Sequence, residues 1–339
     1  MKIKNIFYII LILSVTAVST ALMLFFNLNS PANITDIQNI TIEKGMTLRT
    51  TAKVLKEKNL IKNSDYFIII GYLFDKKVIK TGSYRIYPDS SSIDILNIVT
   101  KGQVITRKVT FPEGYNIYQM AKALEEAGIC DEKSFLKYAK DKDFLKSIGI
   151  NSSIAEGYLF PDTYVFAEGA DPREIINHMY SKMIKVIKEV AAKSPQPVYN
   201  LQKMLILASI IEKEAVIKSE RRKISAVFYN RLKKGMRFDS CATVWYAIGK
   251  YEGGHLTHRD LQVNSPYNTY INTGFPPTPI GNPGKSSIEA AFNPDSTPFL
   301  FFVSRNDGSH YFSVSLRRHN QAVDYYQKRI NNGFKDEQR

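Results

Sequence analysis

The sequence predicts an α+β protein in three parts. A single N-terminal transmembrane helix comes first, then a small α+β module, then a mixed α+β domain around a buried central helix. Three observations carry this. Ile6 to Phe26 is an uncharged apolar run, long enough for a hydrocarbon core of ~30 Å at ~1.5 Å per residue. A strand, glycine turn and amphipathic helix occur twice, once from Ile40 (ITIEKGMTLRTTAKVLKEKNL) and once from Val109 (VTFPEGYNIYQMAKALEEAGI). Finally, LILASIIEKEAVI, from Leu205 to Ile217, is apolar on nearly every side of a 3.6-residue wheel, as a core helix is.

Taken in order, Lys2 and Lys4 precede the apolar run, which by the positive-inside rule leaves the N-terminus in the cytoplasm and the rest outside. Ser19-Thr20-Ala21 could serve a signal peptidase. The run continues through Leu22 to Phe26, however, and this favours an uncleaved anchor. Asn29 to Asp36 is a polar linker. The net charge of +14 would suit an anionic partner. No nucleic-acid motif accompanies it, so lipid head groups, acidic wall polymers or simply a basic surface are the better readings. Two cysteines, Cys130 and Cys241, allow at most one bridge.

Between the two repeats, Asp65 to Phe74 reads as a helix, Gly82 to Tyr87 as a strand, and Ser92 to Thr100 as a helix stopped by Gly102. Ser134 to Ile148 gives one or two helices. Glu156 to Tyr164 is an aromatic loop in which Tyr158, Phe160 and Tyr164 could stack on a sugar or pack on the core. Pro172 to Ala192 is helical, and Ser194 to Pro197 separates it from the central helix. Thr243 to Ile248 is a short helix, and His255 to Lys285 is a long irregular stretch rich in Asn, Pro, Gly and Thr, of the kind that carries function. The rings of Tyr267, Tyr270 and Phe275 suit a polyhydroxylated ligand there. A helix from Ser286 to Phe292, a hairpin across Asn306-Asp307-Gly308 and a helix from Arg318 to about Ile330 complete the chain.

Glu212 and Glu214 sit inside the apolar helix. Desolvation raises a buried carboxyl's pKa toward neutrality, which suits a general acid. Either could instead pair with Lys213, Lys218 or Arg221 and simply finish the helix. Helical spacing does not separate them, since Glu214 follows Leu207, Ile210 and Ile211 while Glu212 shares a face with Leu205, Ala208 and Val216. His255-x-x-His258 lacks a third ligand, so no metal site is expected, and no cofactor motif occurs.

Residues 36–106, strand, helix, helix, strand, resemble a LysM module, a unit that binds N-acetylglucosamine-containing wall chains. A packing module that holds the rest off the membrane is the other reading. The motifs EGYLFPDTY (156–164), LASIIEKEA (207–215), SERRKISAVFYNRL (219–232), SPYNTYINTGFPPTPIGNPG (265–284) and HYFSVSLRRHNQAV (310–323) resemble, in that order, the YceG-like family of endolytic murein transglycosylases. The resemblance implies parts at 1–34 (tip, anchor and linker), 35–106 (LysM-like module) and 107–335 (catalytic domain). It also implies a cytoplasmic-membrane enzyme facing outward, with peptidoglycan strands as substrate and peptidoglycan synthases as partners.

The second Glu of the E-K-E triplet, Glu214, is then the catalytic residue. Glu220, Asn230, Tyr267 and Asn268 fall in family-like motifs and, with Tyr158, are expected to bind substrate. His310 and Asn320 could be structural. Two departures, Cys241-Ala242-Thr243 in place of Asp-Pro-Thr and Pro277-Thr278-Pro279-Ile280 in place of Pro-Pro-Gly-Pro-Ile, are expected to leave Glu214 untouched. A non-catalytic wall binder and a hydrolytic glycosidase are the competing readings.

Overall fold

The computed structural model describes residues 2–31, 34–194, 200–330, 334–336 and 338. Ala32 and Asn33 of the linker, and Pro195 to Pro197 of the expected separator, lie outside them. The architecture is mixed α+β with one N-terminal apolar helix. That helix, α1 (Lys2–Asn29), contains the window Ile6–Met23, of mean hydropathy 2.3, none of it buried in the protein. The chain forms two compact units, Met1–Arg107 with Val165–Ala170, and Lys108–Tyr164 with Asp171–Arg339.

In the first unit β1 (Gln38–Ile42) pairs antiparallel with β2 (Gly82–Ile86), Ile40 opposite Tyr84. Alternation along β1 turns Ile40 and Ile42 into the core, as the period of two requires. Helix α2 (Leu48–Glu57) begins at a Thr47–Thr50 capping box and buries Leu48, Ala52 and Leu55. Then follow α3 (Ser64–Leu73), capped by Asn63, and α4 (Ser92–Lys101), capped by Ser91 and Asp94. Gly102 ends α4 at φ +75°, a conformation that costs glycine nothing.

The chain crosses to the second unit within β3 (Thr106–Thr110) and returns within β4 (Thr163–Ala167), which pair with each other. The second repeat copy continues into α5 (Ile117–Glu126), capped by Asn116 and Gln119. Its turn glycine meets the late loop: Gly114 N–H donates to Asn282 O at 2.8 Å, and Asn282 N–H to Tyr115 O at 2.8 Å. A Cβ on Gly281 would lie 2.7 Å from Gly114 O, so this backbone approach needs glycine.

Next come α6 (Glu132–Ala139), α7 (Lys142–Ser147), α8 (Pro172–Ala191) and α9 (Leu201–Glu214). They are followed by α10 (Arg221–Lys233), α11 (Cys241–Ala247) and α12 (Lys285–Phe292). The hairpin is β5 (Phe301–Ser304) with β6 (His310–Ser313), and α13 (Leu316–Tyr326) closes the fold.

Helix α9 is the expected central helix. Every residue from Leu205 to Ile211 is buried, and α9 packs on α10, α11 and α12. It is shorter than the apolar run. Ala215 is extended, and Val216 is 74 % exposed, so Val216 does not share a helical face with Glu212. The turn Lys218–Glu220 leads at once into α10, and that reversal overrides the apolar pattern.

Candidate active site

Because α9 ends at Glu214, its last turn presents two carboxylates to different surroundings. Glu212 is closed off. Its Oε1 accepts from Arg221 Nη2 at 2.6 Å and its Oε2 from Gly284 N–H at 2.8 Å, with both side chains buried. Arg221 also donates to Ser286 Oγ at 2.7 Å. Of the three cations open to Glu212 in the sequence, Arg221 is the partner.

Glu214 is half-buried and lines a cleft of ≈ 510 Å³ with Arg231, Asp239, Cys241, Tyr270 and His310. Ser240 Oγ donates to its Oε1. Burial pushes its pKa up, while the Ser240 hydroxyl, the His310 charge, the Ala242 N–H and Arg231 pull it back. Ser240 is held by a buried network: Thr243 Oγ1 bonds Ser240 O and Thr269 Oγ1, each at 2.8 Å, and Ser240 N–H donates to Thr269 Oγ1 at 3.1 Å. The segment from Ser240 to Thr243 therefore touches and positions Glu214. The expectation that the Cys241-Ala242-Thr243 departure leaves Glu214 alone is corrected. Cys241 stands in the cleft with Sγ 3.1 Å from Tyr270 Oη, and both cysteines are free thiols.

Glu220 reaches this cleft through a partner. Its Oε2 lies 2.7 Å from His310 Nδ1 and its Oε1 accepts from His310 N–H at 3.0 Å. A carboxylate on Nδ1 fixes the ring and leaves Nε2 for other work. Arg231, buried, donates to Leu300 O at 2.7 Å and Phe238 O at 2.6 Å and meets Asp239 at 3.4 Å. Burial raises the Asp239 pKa, and Arg231 and Arg237 oppose this.

The other expected binding residues do not converge on Glu214. Asn268 is fully buried, its amide donating to Leu261 O and Val263 O at 3.0 and 2.9 Å. It holds the 261–270 loop. Tyr158 is buried beside Tyr180. Tyr267 bonds Thr278 Oγ1 at 2.7 Å and packs on Tyr246, so the second departure also has a scaffold role. Asn230 donates to Thr297 O and Phe299 O at 2.7 and 3.0 Å. It lines a separate cavity with Phe275 and Met204.

The sequence also left Glu156 without a role. It is fully buried and accepts from Ile117 N–H at 3.2 Å, Tyr246 Oη at 3.1 Å and Asn282 Nδ2 at 3.2 Å. Burial, only partly offset by these donors, pushes its pKa up to about 8. This carboxyl ties α5, α11 and the 281–284 loop together.

The YceG-like family model matches residues 40–325. The chain belongs to the YceG-like family. A Bacillus subtilis (strain 168) relative named endolytic murein transglycosylase is 32% identical over 304 residues, 85% of this chain and 84% of the relative. A relative of the same name from Streptococcus pneumoniae (strain D39) is 27% identical over 324 residues, 86% of this chain but 59% of its own length. The crystal structure of a YceG-like protein from Listeria monocytogenes aligns with a TM-score of 0.57 at 32% identity, covering 84% of this chain and 99% of that one. The matched region takes in residues of both compact units.

Proposed function

We propose that this chain is a membrane-anchored endolytic lytic transglycosylase of peptidoglycan. It cuts nascent strands between N-acetylmuramic acid and N-acetylglucosamine and leaves 1,6-anhydro-muramic ends. One observation carries the reading: of the two E-K-E carboxylates, only Glu214 lies in an open cleft with no cation in contact among the described residues, its pKa raised by burial. Desolvation of this kind favours the protonated form that a general acid needs.

Glu214 gives that proton to the glycosidic oxygen as the bond to muramic C1 breaks. It then takes the proton of the C6 hydroxyl as O6 closes on C1, and no water enters. Ser240 holds the carboxyl through both transfers, and His310, fixed by Glu220, supplies nearby charge when the carboxylate forms. No cofactor is called for.

Helix α1, apolar and unburied over Ile6–Met23, would anchor the chain with its N-terminus in the cytoplasm and the enzyme on the outer face, where peptidoglycan synthases work. The strand, helix, helix, strand order of 38–86 supports a LysM-like role for 35–106, and 107–335 would be the catalytic domain.

A second reading, hydrolysis, draws on Asp239, which shares the cleft with Glu214 and could activate water as the second carboxylate. Its contacts with Arg231 and Arg237 favour a scaffold role instead. The mass of product ends from purified sacculi decides between them. Anhydro ends support the lytic reading, ends heavier by one water give hydrolysis, and absence of products leaves a binder.

A further inference from the structure

Helix α3 is apolar on two opposite faces. Phe67 and Ile70 enter the core of the first unit, while Ile69, Tyr72 and Leu73 point to solvent and are followed by exposed Phe74 and Val78. Leu73 is 73 % and Val78 76 % exposed. A helix apolar all round is normally covered, and contiguous exposed apolar surface marks a contact site. Lysines border the patch: Lys77 Nζ lies 5.8 Å over the Tyr72 ring and Lys76 Nζ 5.9 Å over the Phe74 ring, with Lys80 beyond and Asp75 as the acidic counterweight to Lys77. The patch is also placed. Tyr66, in the first turn of α3, directs its hydroxyl at Met23 Sδ, 3.9 Å away, where the apolar window of α1 ends.

We propose that this α3 surface, residues 69–78, is a second membrane contact that seats the first unit on an anionic bilayer. The inference rests on the anchored reading of α1. Apolar side chains with Tyr and Phe at their edge and Lys around them suit the interface, where rings sit at head-group depth and lysines meet anionic lipid. A helix that starts beside the end of the span is already at that depth. The contact would fix the first unit at the membrane instead of leaving it free on its short linker.

The test uses the full chain with Cys130→Ser and Cys241→Ser, reconstituted in phosphatidylcholine/phosphatidylglycerol vesicles. Single cysteines replace Leu73, Ile12 or Lys44 and carry an environment-sensitive fluorophore, and brominated lipid is the quencher. Labels at 73 and 12 should be quenched about twofold or more, and the label at Lys44, exposed on the β1–α2 turn, should not. Lys77→Glu with Lys80→Glu should reduce quenching at 73 in phosphatidylglycerol vesicles, and unchanged quenching would overturn the anionic preference. Quenching at 12 but not at 73 overturns the proposal and leaves the anchor standing. No quenching at either overturns the anchored reading and this one with it. A blue shift at 73 that grows with protein density but ignores brominated lipid shows a protein partner or second copy as the cover, and overturns the proposal too.

Discussion

Glu212 and Glu214 leave the same turn of α9 for opposite surroundings. At Glu212 a buried guanidinium and a backbone N–H meet both oxygens, so the charge is neutralised where it stands. At Glu214 the near contact is a neutral hydroxyl, and the cations of Arg231 and His310 act from across the cleft. Both carboxyls lose water, but only one receives a counter-ion in exchange. Burial with a partner makes a strut, whereas burial without one leaves a group that keeps its proton and can release it.

The strongest way to break this contrast is Glu214→Gln. Gln keeps the shape and can still bond Ser240, but it neither gives nor takes a proton. Strand cleavage should fall on the order of a hundredfold or more, with the melting temperature unchanged or higher, since a desolvated carboxyl is costly to the fold. Substantial residual cleavage by a folded variant would remove Glu214 from the chemistry.

Arg221→Met tests the other half. It leaves Glu212 buried and unpaired, and breaking such a pair costs about 3–5 kcal/mol. Denaturation should show this as a large drop in stability. Glu212→Gln, which can still accept from Gly284 N–H, should cost less. A thermally neutral Arg221→Met would mean the strut is not a strut.

The elements were legible because their signals are local. The repeat's glycine turns, the caps at Thr47 and Asn116, and the stop at Gly102 are written within a few residues of the structure they make. The site was less so. Both carboxylates of the E-K-E triplet stood out through their apolar surroundings and only the family resemblance chose Glu214, while Ser240, Arg231, Asp239 and His310 come from three later segments that only the fold brings together. Burial was the commonest misreading. A Tyr or Asn in a polar loop has the same letter whether it faces a sugar or holds the loop, and Tyr158 and Asn268 do the latter. Arg221 was visible as one of three cations, and geometry chose it.

Glu156 sharpens the comparison, as a desolvated carboxyl met by three donors. The unfolded chain ionises it near 4.5, the ordinary value for a glutamate, while the folded chain holds the proton until about 8. The folded state thus binds more protons across that window, and its stability falls as pH rises from about 4.5 to about 8. In Glu156→Gln, Tyr246 Oη can turn to accept from the amide. Wild type and variant should therefore melt alike near the low end of the window, with the variant melting higher by a few degrees, about 2–4 °C per kcal/mol, above it. Parallel melting curves at every pH would show that the donors already keep Glu156 ionised.

The smallest expected effect is the most informative about the open side of the contrast. His310 lies in the cleft with Glu214, and Glu220 holds its Nδ1 at 2.7 Å. The other groups facing Glu214 are Ser240, the Ala242 N–H and Arg231, with Asp239, Arg237, Cys241, Tyr270 and His319 also lining the space. His310→Gln removes one of the influences that favour the carboxylate, so the Glu214 pKa should rise further. The acid form then persists to higher pH, and the alkaline limb of the rate profile should move up. Maximal cleavage should change only severalfold, less than the ~100-fold assigned to the proton donor itself. Glu220→Gln, which loosens the ring without removing it, should move the same limb in the same direction by less. A purely structural His310 would lower rate and melting temperature together and leave the limb where it was, which would detach the Glu220–His310 pair from the chemistry of Glu214.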